Sequence, residues 1–224
     1  MKTFIIYVEG HLGSVGQANR CYNVCKDFGY VPTLFAGSTP NKMYGSFDYP
    51  VIEKSRVSGF KENNQKTYLT KMACFSNHPR LWKKSIELNE TIIVLEQDAI
   101  PIKKWDEPKF DELLLCNTHS AYQRSIFNTT RPKSPYFYRK GIHTLDGGLV
   151  YPKDNFLKGS YMIPGTASYA ITPKGAKKLL DALESYGWEQ SDYFINTKLV
   201  DIKYSVPDYF KLDINNNLNL SHGI

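Results

Sequence analysis

Phe4-Ile5-Ile6-Tyr7-Val8, followed by Val31-Pro32-Thr33-Leu34-Phe35-Ala36 after a helical interval, is the stretch that decides the fold. The first run is continuously apolar and rich in β-branched and aromatic side chains, the pattern of a strand buried on both faces. Between the two runs, residues 15–28 place Ala18, Cys21, Cys25 and Phe28 on one helical face. Gly29 then stands where a C-terminal cap belongs. Strand, helix and strand in this order predict a parallel pair. The expected architecture is α/β and Rossmann-like, with a mostly parallel central sheet flanked by helices.

Outward from that unit, residues 38–64 are polar and turn-rich. A helical pair is expected over 65–77 and 79–88, with Pro79 in the first turn of the second helix. Residues 91–95, Thr-Ile-Ile-Val-Leu, are the strongest strand in the chain. Residues 172–186 are the clearest helix: Thr172 can cap it, Pro173 opens it, and Ala176, Leu179, Leu180 and Leu183 form its apolar face before Gly187. The tail from Leu212 is polar and reads as loop. With no internal repeat or low-complexity linker, the 224 residues are expected to form one domain, 1–224.

Apolar residues at 42% and charged residues at 22% exclude a disordered chain. Residues 4–8 are too few for a signal-peptide core, and no stretch approaches the roughly 20 apolar residues of a membrane span. The expectation is a soluble, cytoplasmic protein. Of the four cysteines, only Cys21 and Cys25 are close, and no second pair completes a zinc site, so buried reduced thiols are expected. Three Asn-x-Ser/Thr triplets, at Asn89, Asn128 and Asn219, carry little meaning without a secretion signal.

The chemistry is concentrated in Ile92-Ile93-Val94-Leu95-Glu96-Gln97-Asp98-Ala99. A buried strand runs directly into two carboxylates two residues apart, which an extended chain puts on the same side. Open α/β sheets bind ligands beyond the carboxyl ends of their strands. Two carboxylates held together there need a cation or a proton. A hard divalent metal that bridges to substrate phosphates satisfies that need. The plainer alternative is a solvated turn bearing two ordinary acids.

Two further stretches narrow the choice. Upstream stands Cys74-Phe75-Ser76-Asn77-His78-Pro79-Arg80-Leu81-Trp82, and downstream Gly165-Thr166-Ala167-Ser168-Tyr169-Ala170-Ile171-Thr172-Pro173-Lys174-Gly175-Ala176 leads to Leu179-Leu180. With Val94–Ala99 between them, these resemble family 25 glycosyltransferases in order and rough spacing, over about residues 66–105 and 159–195. The resemblance implies a GT-A fold, a UDP-sugar or similar nucleotide-sugar donor, and Mn²⁺ or Mg²⁺ held by the acidic motif. It implies that Asp98 binds the metal directly. It implies that Glu96 contacts the donor or reaches the metal through water. The chain departs from the family at Gln97, where an acid is usual, and at Asn77, which separates Ser76 from His78. His78 is therefore open between a functional role and a helix-cap or packing role.

Sugar transfer by direct displacement also needs a base for the acceptor proton. Asp192 occupies a place like that of a family Pro-x-Asp segment, and is read either as this base or as a helix N-cap. Gly165 and Thr166 either allow the backbone close to the donor or form a tight turn. Glu9, Gly10 and His11 follow the first strand and Ala36 and Gly37 end the second, where the nucleotide base is expected. His222 either completes the metal site or is an exposed tail residue.

The net charge of +6 has an address. Residues 113–145 contain no acid, while Arg124, Arg131, Lys133, Arg139 and Lys140 alternate with aromatics that include Tyr136 and Tyr138. The rest of the chain is nearly balanced. Cations and aromatics on one segment suit phosphate contacts and base stacking. The resemblance puts the acceptor on this side. The favoured expectation is therefore DNA carrying 5-hydroxymethylcytosine, the acceptor of a phage-encoded branch of the family that adds sugars such as arabinose. A lipopolysaccharide or other glycan acceptor is the alternative within the family. A non-catalytic DNA-binding protein on a degenerate transferase fold is the second alternative.

Overall fold

The computed structural model describes residues 1–117, 140–147, 149–162 and 167–213. Strand β1 (Lys2–Tyr7), helix α1 (Leu12–Asp27) and strand β2 (Val31–Ala36) form the expected opening, with β1 and β2 parallel. Helix α1 begins three residues before the expected start. His11 caps it, its ring Nδ1 accepting from the Ser14 N–H at 3.2 Å.

The turn-rich interval contains one helix, α2 (Arg56–Asn63), capped by Ser55. The expected helical pair is a single helix, α3 (Gln65–Leu88), with Pro79 inside it. Proline in a helix interior costs roughly 3 kcal/mol. Packing on both sides of Pro79 offsets that cost: Phe75 and Trp82 are fully buried and lie edge to face with centroids 6.0 Å apart.

The acidic motif ends strand β3 (Ile92–Glu96), and β4 (Ala99–Pro101) follows at once. Further strands are β5 (Leu113–Leu115), β6 (Gly141–Thr144), β7 (Leu149–Val150), β8 (Tyr161–Met162) and β9 (Ser168–Ile171). Helix α4 (Pro173–Tyr186) has the expected cap, Thr172 Oγ1 accepting from the Gly175 N–H at 3.1 Å. A one-turn helix α5 (Ser191–Phe194) and strands β10 (Ile202–Val206) and β11 (Phe210–Leu212) complete the described elements.

The central sheet has seven strands in the order β2-β1-β3-β9-β5-β10-β6. It is α/β as expected, but mixed rather than mostly parallel. β1 runs parallel to β2 and β3, and β10 to β5, whereas β9 is antiparallel to both neighbours and β6 is antiparallel to β10. The reversal at β9 has a local cause. Its chain enters from the end of the sheet where Glu96 lies and then turns into α4, so Leu95 pairs with Ser168 and Ile92 with Ile171. Helices cover both faces: one core contains Phe75, Trp82, Leu179, Leu183 and Trp188, the other Ala18, Cys21, Cys25, Leu95 and Phe210. All four cysteines are free thiols. Among the described residues no helix is long and apolar enough to cross a membrane.

Candidate active site at the end of the third strand

Strand β3 delivers Glu96 and Asp98 to the edge of the core, Glu96 half-buried and Asp98 buried. Two backbone bonds and one backbone-to-side-chain bond hold this region. The Glu96 N–H donates to the Ala167 carbonyl at 2.8 Å, Ser168 N–H donates to Asn117 Oδ1 at 3.2 Å, and Asp213 N–H donates to the Asp98 carbonyl at 2.9 Å. The stretch around Ala167 is thus anchored directly beside the acid pair. Gly165, Thr166 and His222 lie outside the described residues.

Asp192, from far along the chain, acts electrostatically on Glu96. It lies in the first turn of α5, whose N-cap is Gln190, so it is not the cap. Burial, Asp98 and Asp192 all push the Glu96 carboxyl above its usual range, and Lys71 opposes them. Lys71 projects from α3 and is 6% exposed, which is rare for a lysine. Burial lowers its basicity, while Asp192 and Glu96 act to restore it. Glu96 therefore feels the charges of Asp98, Asp192 and the buried Lys71. Sequence reading missed Lys71. Its signal was helical spacing: Lys71, Cys74 and His78 recur three and four apart and share a face.

Lateral to this cluster, at the ends of β1 and β2, lies a second polar group. Glu9 accepts from Lys42 Nζ at 2.5 Å and from Tyr44 Oη at 2.6 Å, which holds its carboxyl below the usual range. Arg80 stacks between Phe35, 4.3 Å from its ring centroid, and Tyr44, at 5.0 Å. The same guanidinium donates to the Ala36 carbonyl and to Asn77 Oδ1, both at 3.1 Å. Gly37 is needed here: a Cβ would lie 3.0 Å from Ile6 Cγ2 and 3.1 Å from the Tyr7 carbonyl oxygen. Gly10 takes a positive φ of 79° in an exposed turn. The expected loops are thus adjacent, and Arg80, Tyr44 and Lys42 join them unforeseen.

His78 is buried inside α3 and so is not a cap; its Nδ1 lies 2.9 Å from Tyr169 Oη. On the acceptor side, Lys140 is described and exposed; Arg124, Arg131, Lys133, Tyr136, Tyr138 and Arg139 lie outside the described residues. A surface cleft of about 580 Å³ is lined by Glu53, Lys54, Ser58, Glu62, Lys153 and Asp154, and none of the predicted site residues lines it.

Among the described residues no group of three His, Cys, Asp or Glu side chains is arranged to hold a metal ion. Glu96 and Asp98 still fit a magnesium-like ion, because such ions are commonly held by one or two carboxylates, with substrate phosphates and water filling the other positions. The crowding of acids around Glu96 is the electrostatic counterpart of that fit.

A mixed α/β sheet flanked by helices is consistent with a GT-A fold. Residues 51–195 match the model of glycosyltransferase family 25, described as LPS biosynthesis protein, and the chain belongs to that family. A search of curated proteins returns no significant match.

Proposed function

We propose that the protein transfers a sugar from a UDP-sugar to a hydroxyl group of a lipopolysaccharide-type glycan, in one transferase domain acting in the cytoplasm. The pair Glu96 and Asp98 at the end of a central strand, with Glu96 under the charges of Asp192 and Lys71, carries this reading. Family membership supports the glycan acceptor.

Glu96 and Asp98 would hold Mn²⁺ or Mg²⁺, which when bound neutralises charge on the departing diphosphate. Arg80 and Tyr44 offer a flat, cationic platform for the nucleotide base, beside Glu9, Gly10, His11, Ala36 and Gly37. In a direct displacement Asp192 takes the proton of the acceptor hydroxyl, the oxygen bonds to the anomeric carbon, and UDP leaves with the electrons of the broken C–O bond. The half-buried Glu96 faces the donor, and Lys71 opposes the upward push on its carboxyl.

The test is UDP release from a panel of UDP-sugars with a lipopolysaccharide core glycan as acceptor. Stimulated release supports the reading. No stimulation by any glycan overturns the acceptor assignment.

A second reading, DNA carrying 5-hydroxymethylcytosine as acceptor, is favoured by one observation: the acid-free, cation- and aromatic-rich segment 113–145. Hydroxymethylated and unmodified DNA belong in the same panel. Stimulation by the modified DNA alone would select this reading over the first.

A further inference from the structure

Lys71, His78 and Ser85 stand seven residues apart along α3 and share one face of the helix. Two of them fix how that face lies on the sheet. Ser85 Oγ donates to the Ile171 carbonyl at 3.4 Å, and His78 Nδ1 lies 2.9 Å from Tyr169 Oη. Ile171 and Tyr169 pair with Ile92 and Val94 of β3. Moving toward the N-terminus of α3 is therefore moving along β3 toward Glu96. Seven helical residues span about 10 Å, and two strand residues about 7 Å. The next such step carries Lys71 past the start of β9, to the end of the sheet where the Ala167 carbonyl accepts the Glu96 N–H at 2.8 Å.

Aromatic rings fix the other side. Tyr68 and Phe75, on the helical turns before and after Lys71, each lie with their ring centroid 5.7 Å from that of Trp188. Phe75 also meets Phe194, at 5.1 Å. Trp188 and Phe194 bracket the segment that bears Asp192. Lys71 is thus held between the end of β3 and that segment, and the charges of Asp192 and Glu96 are both felt there.

The Lys71 side chain is buried, yet among the described residues its ammonium makes no hydrogen bond and no ion pair. The nitrogen is not sealed inside the protein, so a ligand can reach it. A buried ammonium with three unused donors is costly unless something supplies the acceptors. A compact full charge with three N–H groups suits a phosphate.

We infer that Lys71 is a substrate-binding residue whose ammonium donates to the β-phosphate oxygens of the donor diphosphate at the end of β3. There it stabilises the charge that UDP gathers as the anomeric C–O bond breaks. Lys71 keeps its proton throughout, and the bond electrons stay on the diphosphate. The inference rests on the reading of the protein as a user of UDP-sugars.

Calorimetric binding of UDP and of uridine to the full chain, with Mg²⁺ present, tests it. Lys71→Met keeps the length of the side chain and removes the charge. It should weaken UDP binding about tenfold or more and leave uridine binding within roughly twofold. Equal UDP affinity in parent and variant overturns the inference, as does a parallel loss for UDP and uridine, which a merely structural lysine would give. A second measurement uses the parent protein with ¹³C,¹⁵N-labelled lysine, the Lys71 signal being the one lost in Lys71→Arg. That signal should move on adding UDP and stay in place with uridine; a signal indifferent to UDP overturns the inference. If the parent binds UDP and Lys71→Met binds it equally, this inference alone fails. If the parent does not bind UDP, the donor reading fails and takes the inference with it.

Discussion

Asp213 donates its backbone N–H to the carbonyl of Asp98 at 2.9 Å, and its carboxylate pairs with Arg20 of α1. The last described strand, β11, runs antiparallel to β4, and the chain just beyond it holds the backbone at Asp98. With its backbone so held, Asp98 can be altered without moving the strand. Asp98→Asn is expected to lower turnover at least 100-fold while thermal stability stays close to the parent. Excess EDTA should have the same effect, reversed by Mn²⁺ or Mg²⁺. Full activity in chelator would remove the metal assignment.

Arg80 contributes a flat cation between two rings, and a lysine cannot reproduce it. Arg80→Lys should raise the donor KM about tenfold and change kcat less, as expected for lost ground-state binding. Steady-state kinetics with varied donor would show the split. An unchanged KM would move the nucleotide base elsewhere.

Glu112 is buried and accepts the Asp201 N–H at 2.7 Å, with Lys178 at 2.7 Å and Lys174 at 3.0 Å. These donors outweigh burial and hold its carboxyl down at about 2, against 4.5 for an ordinary glutamate. A depressed carboxylate contributes stability above its unfolded pKa and loses it as pH falls through the folded value. Glu112→Gln should therefore cost about 1–2 kcal/mol at pH 7, since both lysines are solvent-screened. The gap to the parent should close between pH 4.5 and 2. Urea unfolding across that pH range measures it, and a gap independent of pH would contradict the ionic origin.

Gly175 has a steric reason to be glycine. A Cβ there would lie 2.4 Å from the Glu112 carbonyl oxygen, which is backbone and cannot rotate away. Gly175→Ala should destabilise by about 1–3 kcal/mol, as overpacking does. A thermal midpoint equal to the parent's would show that α4 can shift outward freely.

The cationic segment makes a separate prediction for the DNA reading. Arg131→Ala combined with Arg139→Ala should weaken binding to duplex DNA and make the dependence of log K on log salt shallower by about 2. An unchanged slope would show that these residues do not meet phosphates.

The elements legible in the sequence were those with local signals. β1, β2, β3 and the Thr172-capped helix follow from hydrophobic period and cap chemistry, which act over a few residues. The Pro79 boundary was misread because a local breaker was outweighed by the burial of Phe75 and Trp82, partners supplied by Trp188 and Phe194 far along the chain. The antiparallel setting of β9 was equally hidden, since its residues are as apolar as those of a parallel strand.

By itself the sequence determined the α/β class, the acid pair at a strand end and the family, because each lies in contiguous residues whose pattern carries the meaning. Only the tertiary structure decided that Asp192 and the buried Lys71 act on the charge of Glu96, that Arg80 sits between Phe35 and Tyr44, and that His78 is bonded through Tyr169 to Trp82. These contacts link distant segments across a sheet and two helices. No local period encodes them, and they exist only once burial has brought the segments together.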